Sequence, residues 1–344
     1  MFARSMLTIL FAFSLLLSSP GAVRADAVAD FYKGKTISLM IGFGVGGGYD
    51  TYSRLLARHY GRHIPGNPNV VPKNMPGSGG LKVANYLYNA APKTGTSLGV
   101  FLASTALEPL FGGGKKAKFK TTGFSWIGNM NNEIFACGVW KSSGVTKFSD
   151  MRQKEIIFGS TGKSAVTSQH ARVLQHVLGA KLRIIYGYKG TKGVNLAMNR
   201  GEVNGSCGLT ASTVVARWNR DVDAGNLRII VQFGRKDHPA LRGAENAYSL
   251  VKSEDTKKAL DVIFRQGEAG RPVAGTPDMP KDRVAALRKA FMATMKDPKF
   301  LADAKKTRLT VVPSSGEELA ALFGSFYGMP KSVISAAKKA IGRK

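Results

Sequence analysis

The sequence predicts an α/β protein of two lobes with a ligand cleft between them. Apolar, β-branched runs alternate with amphipathic stretches, the pattern of parallel strands joined by helices. Removal of an N-terminal leader leaves about 319 residues, too many for one compact core and suited to two lobes. A Gly- and Lys-rich break from Gly112 to Gly123 then separates one group of three strands from the next.

The leader comes first. Arg4 is the one charge among the first five residues, Met6 to Leu17 is apolar, and Val23-Arg24-Ala25 offers small residues where a signal peptidase reads. An apolar run of about 12 to 14 residues is too short to cross a bilayer core that needs about 20. Residues 1–25 are therefore expected to be cleaved, leaving a soluble periplasmic chain. No Cys follows the apolar run, so no lipid anchor is expected.

Thr36 to Phe43 reads as the first strand and Tyr49 to Tyr60 as a helix carrying Tyr52, Leu55, Leu56 and His59 on one face. Val70-Val71, Leu98 to Leu102, Ile134 to Trp140, Ile156 to Gly159, Leu182 to Tyr186, Val203 to Cys207 and Leu227 to Phe233 are further strands. Gly80 to Asn89, Ser168 to Leu178, Val194 to Arg200 and Ser212 to Asn219 read as helices between them. The last third is mainly helical, clearest at Lys281 to Met295 and Gly316 to Ile341. A discontinuous first lobe, 26–123 plus 234–344, and an inserted second lobe, 124–233, follow from this order.

The formal net charge is +28, two of which, Arg4 and Arg24, leave with the leader. Lys and Arg are spread along the chain, and the longest cluster, Lys115 to Lys120, is short. The excess reads as solvated surface that steers anions, with no nucleic acid partner and no oligomer expected. The two cysteines, Cys137 and Cys207, fall in separate strand-like runs. In an oxidising compartment they are a possible disulfide, but adjacency of the strands is not readable, so paired and free both stand.

Gly42-Phe43-Gly44-Val45-Gly46-Gly47 has the spacing of a dinucleotide-binding turn between strand and helix. No Asp or Glu occurs between Thr51 and Leu107 to hold a ribose, so no nucleotide cofactor is expected. What survives is glycine-permitted approach of backbone N–H groups to an anion at a helix N-terminus. Gly159 to Thr167 is a second loop after a strand, rich in hydroxyls. Its Gly162-Lys163-Ser164 lacks the glycine five positions earlier that a P-loop needs, Ile157 standing there. His59 and His63 have i, i+4 spacing but no acidic residue or Cys near them in sequence, and no metal site is expected. With no nucleophile elbow or close carboxylate pair, nothing supports catalysis. Arg271 stands where the chain would return to the first lobe and offers a planar fork for a carboxylate.

Phe43-Gly44-Val45-Gly46-Gly47-Gly48-Tyr49-Asp50 resembles the Phe-Pro-Pro-Gly-Gly-x-x-Asp signature of the TctC/Bug family, the extracytoplasmic receptors of tripartite tricarboxylate transporters, with Gly44 and Val45 in place of the prolines. Asn74 to Gly80, Ala91 to Gly95, Tyr188-Lys189-Gly190, Gly201-Glu202-Val203 and Gly225 to Arg228 match further family segments in order. The resemblance implies a type II periplasmic-binding-protein fold closing like a Venus flytrap. It also implies a small organic carboxylate ligand and membrane permease subunits as partners. The positions implied to contact the carboxylate are Phe43 to Asp50 and Ser160 to Thr167. The family's Asp-Asn-Leu-Pro-Ser stretch falls on Gly208 to Ser212, where no acidic residue stands, which argues against an amine-bearing ligand.

The expected site is thus Gly46, Gly47 and Gly48 from one lobe and Ser160, Thr161, Gly162, Ser164 and Thr167 from the other, donating to one carboxylate. Phe43 and Tyr49 flank it, Asp50 orders its loop, and Ser104, Thr105, Thr210 and Arg271 are further pocket candidates. A secreted enzyme acting on an anionic substrate is the alternative.

Overall fold

The computed structural model describes residues 27–112 and 116–343. The expected leader, 1–25, lies outside the described residues. In chain order, β1 (Thr36–Ile41), β2 (Asn69–Asn74), β3 (Ser97–Val100) and β4 (Ser125–Asn129) build a first sheet. β5 (Phe135–Trp140), β6 (Ile156–Ser160), β7 (Leu182–Tyr186), β8 (Gly205–Thr210), β9 (Leu227–Gln232) and β10 (Glu245–Asn246) build a second. The chain then returns, and β11 (Pro272–Gly275) and β12 (Ser314–Ser315) complete the first.

The strand orders are β12-β4-β11-β3-β1-β2 and β10-β9-β5-β8-β6-β7. In both, three strands on one side run parallel and the fourth runs antiparallel to its two neighbours. That fourth strand is β11 in one sheet and β5 in the other, each the first to arrive from the opposite lobe. The segments leading into them, 130–134 and 265–271, carry the chain between the two sheets and are termed the hinge segments.

Two expected boundaries move. Ser125–Asn129 belongs to the first sheet, so the chain crosses after Asn129 rather than after Gly123. Only Trp126 and Ile127 are strongly apolar in that strand, and the described part of the compositional break that stood in for a boundary, 116–123, buries Ala117, Phe119 and Thr121 against the first lobe's core. The second sheet also continues past Phe233 to β10. Gly316 to Ile341 is two helices, Gly316–Tyr327 and Lys331–Ala340, interrupted at Gly328 to Pro330 because proline cannot continue the first. Trp126 is fully buried and stacks on Phe323 with centroids 4.3 Å apart, which seats the first of these helices on β4. Rings buried in this way contribute roughly 2–3 kcal/mol each.

The helix Gly48–Tyr60 and the 3-10 turn Gly61–His63 after it are tied to the C-terminal helices through His59 and His63. His59 Nε2 lies 2.9 Å from Asp303 and His63 Nε2 2.9 Å from Asp297, so the acidic neighbours missing in sequence come from 234 residues or more away. Each imidazole takes its own carboxylate, and no group of three such ligands forms among the described residues. Asp297 also caps Pro298–Lys306 by accepting the Lys299 N–H at 2.8 Å. The hydrogen bond from His63, then the Lys299 N–H and Arg62, hold its pKa down to about 2. A carboxyl depressed in the folded state stabilises above its unfolded value of about 3.9 and loses that contribution as pH falls. Urea unfolding of Asp297→Asn should therefore show a deficit against the wild type that is full above pH about 4 and fades towards pH 2.

Candidate functional site

Gly42 to Gly47 carries the chain from β1 into the helix Gly48–Tyr60. Gly44 packs so closely on the opposite lobe that a Cβ there would lie 2.8 Å from the Lys189 carbonyl oxygen, and Gly46 has φ +83°. Asp50, in the first helical turn, accepts the Gly46 N–H at 2.8 Å and bonds from Arg54 Nε at 2.9 Å and Asn74 Nδ2 at 2.8 Å. Burial works to raise its pKa, but these donors outweigh that and hold it below the usual carboxylate value. Asp50 therefore ties the loop to Arg54 and Asn74. The N-cap, Gly47, has no side chain to give, and the helical ladder begins with the Thr51 N–H on the Gly47 carbonyl at 3.0 Å. The N–H groups of the preceding turn are left for another acceptor.

The same arrangement recurs twice in the second lobe. After β6, Thr167 Oγ1 accepts the Thr161 N–H at 3.2 Å and lies 2.9 Å from Ser160 Oγ and 3.2 Å from Thr161 Oγ1, knitting the loop together. The helix Val166–His176 then starts from Ala165, which supplies no cap. The helix Thr191–Asn199 starts from Gly190, likewise uncapped.

All three N-termini open on one cavity of about 40 Å³ between the lobes. Gly47, Gly48 and Tyr49 line it from the first lobe, Thr161, Val166 and Thr167 from the second, with Gly190 and Thr191 beside them. Phe43, Leu102 and Phe135 form apolar wall, and Gly208, Thr210 and Thr213 close the floor. This is room for about three water molecules. Among the described lining residues, Arg271 is the one charged side chain.

Arg271 is 2% exposed and comes from the returning hinge segment. Its Nη2 lies 3.0 Å from Glu133 Oε1 on the outgoing segment, and its guanidinium carbon sits 4.6 and 4.8 Å from the ring centres of Tyr49 and Tyr52. Burial disfavours its charge, but Glu133 and the two tyrosines outweigh that and raise the pKa above arginine's ordinary value. Ser212 donates its hydroxyl to the same Glu133 carboxylate. Tyr49 donates to the Gly270 carbonyl at 2.6 Å, and burial pushes its pKa up to about 12. The ion pair thus joins the two hinge segments at the edge of the cleft.

Of the candidate residues, Phe43, Gly47, Gly48, Tyr49, Thr161, Thr167, Thr210 and Arg271 line one cavity. Gly46 is not a free donor, because Asp50 takes its N–H. Ser160 is buried with its hydroxyl directed to Thr167 and Gly162, so it supports the loop rather than lining the cavity. Gly162 packs against Ser78 and Gly79 across the cleft, and Ser164 Oγ is met by Arg343. Thr105 bonds the Gly79 carbonyl at 2.7 Å, and Ser104 is buried outside the lining. Sequence reasoning missed Gly190 and Thr191, although a Gly opening a helix without a Ser or Asp cap is a readable sign. It missed Glu133 because its partner is distant in sequence. Cys137 and Cys207 face each other on β5 and β8 and are disulfide-bonded.

No protein-family model and no curated protein matches this chain. Among solved structures, BugD, a periplasmic binding protein, is 19% identical with a TM-score of 0.70, covering 90% of this chain and 98% of that one. MatC from Rhodopseudomonas palustris, solved with bound malate, is 17% identical with a TM-score of 0.69 over 89% and 99%. A TctC solute-binding protein from Polaromonas is 17% identical with a TM-score of 0.58 over 90% and 99%. At these identities the likeness establishes the fold, and the expected type II periplasmic-binding-protein architecture is borne out. Among the described residues no helix is long and apolar enough to cross a membrane.

Proposed function

We propose that this chain is an exported solute receptor of the TctC/Bug type, which closes on a small organic carboxylate and delivers it to a membrane permease. The observation that carries the reading is the convergence of three uncapped helix N-termini on one cavity, with no Asp or Glu among its described lining residues. Unpaired N–H groups at a helix start, backed by the helix dipole, are donors already aimed at an anion. Threonines 161, 167, 191, 210 and 213 add hydroxyls, and Phe43, Leu102, Phe135 and Val166 suit a carbon skeleton. Malate in MatC is a ligand of this chemistry. The bonded cysteines agree with export, since disulfides persist in oxidising compartments.

Thermal-shift screening of a carboxylate panel against the matching amides tests the reading. A ligand at 100 times its Kd stabilises by about 2.7 kcal/mol, so a binding acid raises Tm where its neutral amide does not. Equal shifts from acid and amide, or none from any acid, would refute an anion site. The secreted-enzyme alternative predicts turnover of the bound acid, whereas a receptor returns it unchanged. Thr167→Val deletes the hydroxyl on which the second loop is built and strands the Thr161 N–H. Affinity for the acid found should fall roughly tenfold or more by calorimetry.

A further inference from the structure

We infer that Arg217 and Lys189 of the second lobe clasp the Gly44–Gly46 turn of the first, and that this clasp aims the anion-binding N–H groups and governs release of the ligand. Arg217 lies on a π turn, Val214–Trp218, inside a helical run from Ala211 to Asp223. Such turns concentrate at functional positions. Its guanidinium is exposed at the lip of the cleft and reaches across to the other lobe, where Nη1 donates to the Gly46 carbonyl and Nη2 to Thr51 Oγ1 at 2.8 Å. Beside it, the Gly44 N–H donates to the Lys189 carbonyl at 3.2 Å. A proline, which the resembling motif carries at this place, has no N–H to give.

The grip reaches the binding groups through the geometry of one peptide unit. In a trans peptide the C=O and the following N–H point in opposite directions. Holding the Gly46 carbonyl outward on Arg217 turns the Gly47 N–H inward, and Gly47 is buried in the cavity lining. Thr51, the second acceptor of Arg217, donates its hydroxyl to the Gly47 carbonyl at 3.0 Å, so the next peptide is fixed as well. On the other side Asp50 holds the Gly46 N–H at 2.8 Å. The turn is therefore held from within its own lobe by Asp50 and from across the cleft by Arg217, and only the closed lobes supply the second hold. Opening removes it, and the anion loses an oriented donor as the lobes part.

The functional half of this inference rests on the receptor reading, and the structural half does not, which allows separate tests. Small-angle scattering of the ligand-free mature chain should give a larger radius of gyration for Arg217→Ala than for the wild type. Gly44→Ala should behave likewise, because its methyl would lie 2.8 Å from the Lys189 oxygen and act as a wedge. Arg217→Lys, which keeps the charge but not the fork, should fall between. In stopped-flow mixing with L-malate, Arg217→Ala should dissociate roughly tenfold faster at an unchanged association rate, the factor expected for two cross-cleft hydrogen bonds. Variants as compact as the wild type, or a wild type as expanded as the variants, overturn the clasp. So does slower association with unchanged dissociation, which would make Arg217 a steering charge. If malate and every other acid fail to bind while the scattering difference persists, the clasp stands and the carboxylate reading falls.

Discussion

Arg271→Met is expected to lower folding stability by about 3–5 kcal/mol, the cost of stranding one member of a buried ion pair. Glu133 has 1% side-chain exposure, and without Arg271 it keeps the Ser212 hydroxyl and backbone but no cation. The double variant Glu133→Gln/Arg271→Met should recover most of the loss, because replacing both charges by neutral groups of similar size removes the desolvation cost with the attraction. Urea midpoints of the four proteins give the coupling directly. The position of the pair makes its effect wider than two residues. Glu133 donates its N–H to the Gly267 carbonyl at 2.8 Å, and the Arg271 N–H donates to Asn129 Oδ1 at 2.7 Å, so both hinge segments are bonded to each other around the ion pair. Acid binding should be lost in Arg271→Met and stay weak in the double variant, since neither restores the one charge in the lining. A single variant as stable as the wild type would show that the hinge does not depend on the pair.

The parts of this molecule that were legible in sequence share a property, namely that their signal is local. Thr36–Ile41 is a strand because alternating and β-branched apolar residues run into glycines, and the helix after it shows its buried face every third or fourth residue. The two strand-to-helix loops that line the cavity were readable for the same reason, each being glycine or hydroxyl between strand and helix. β4 and β11 were not readable: Ser125–Asn129 carries Gly128 and Asn129, Pro272–Gly275 is four residues long, and each is a strand only because its neighbours are. Contacts made by the fold were invisible throughout. Glu133 reads as an ordinary surface acid until Arg271, 138 positions later, comes within 3.0 Å. Ser160 reads as a donor to ligand until its hydroxyl is seen to donate to the Gly162 carbonyl and to lie 2.9 Å from Thr167 Oγ1. His59 and His63 read as isolated until Asp303 and Asp297 arrive from the far end of the chain.

The Cys137–Cys207 bond is expected to supply the second large effect. It closes a loop of 70 residues in sequence, and in the chain-entropy account such a link stabilises by roughly 4 kcal/mol through restriction of the unfolded state. Cys137→Ala/Cys207→Ala should lower stability by about that amount in urea unfolding. Both sulfur-bearing side chains are buried, at 0% and 1% exposure, so reductant should act on the wild type slowly and only through opening. A second consequence follows from where the bond sits. Phe135, two residues before Cys137, and Gly208, directly after Cys207, both line the cavity from neighbouring strands, and the register of β5 on β8 shifts between Ala136 and Cys137. The bond fixes that irregular register, which strand pairing alone would leave free to slip. Loss of the bond should therefore weaken acid binding even at temperatures where the variant is fully folded, and calorimetry well below its Tm separates this effect from unfolding. Unchanged affinity in a folded, disulfide-free variant would confine the bond to stability and leave the cavity wall to strand packing alone.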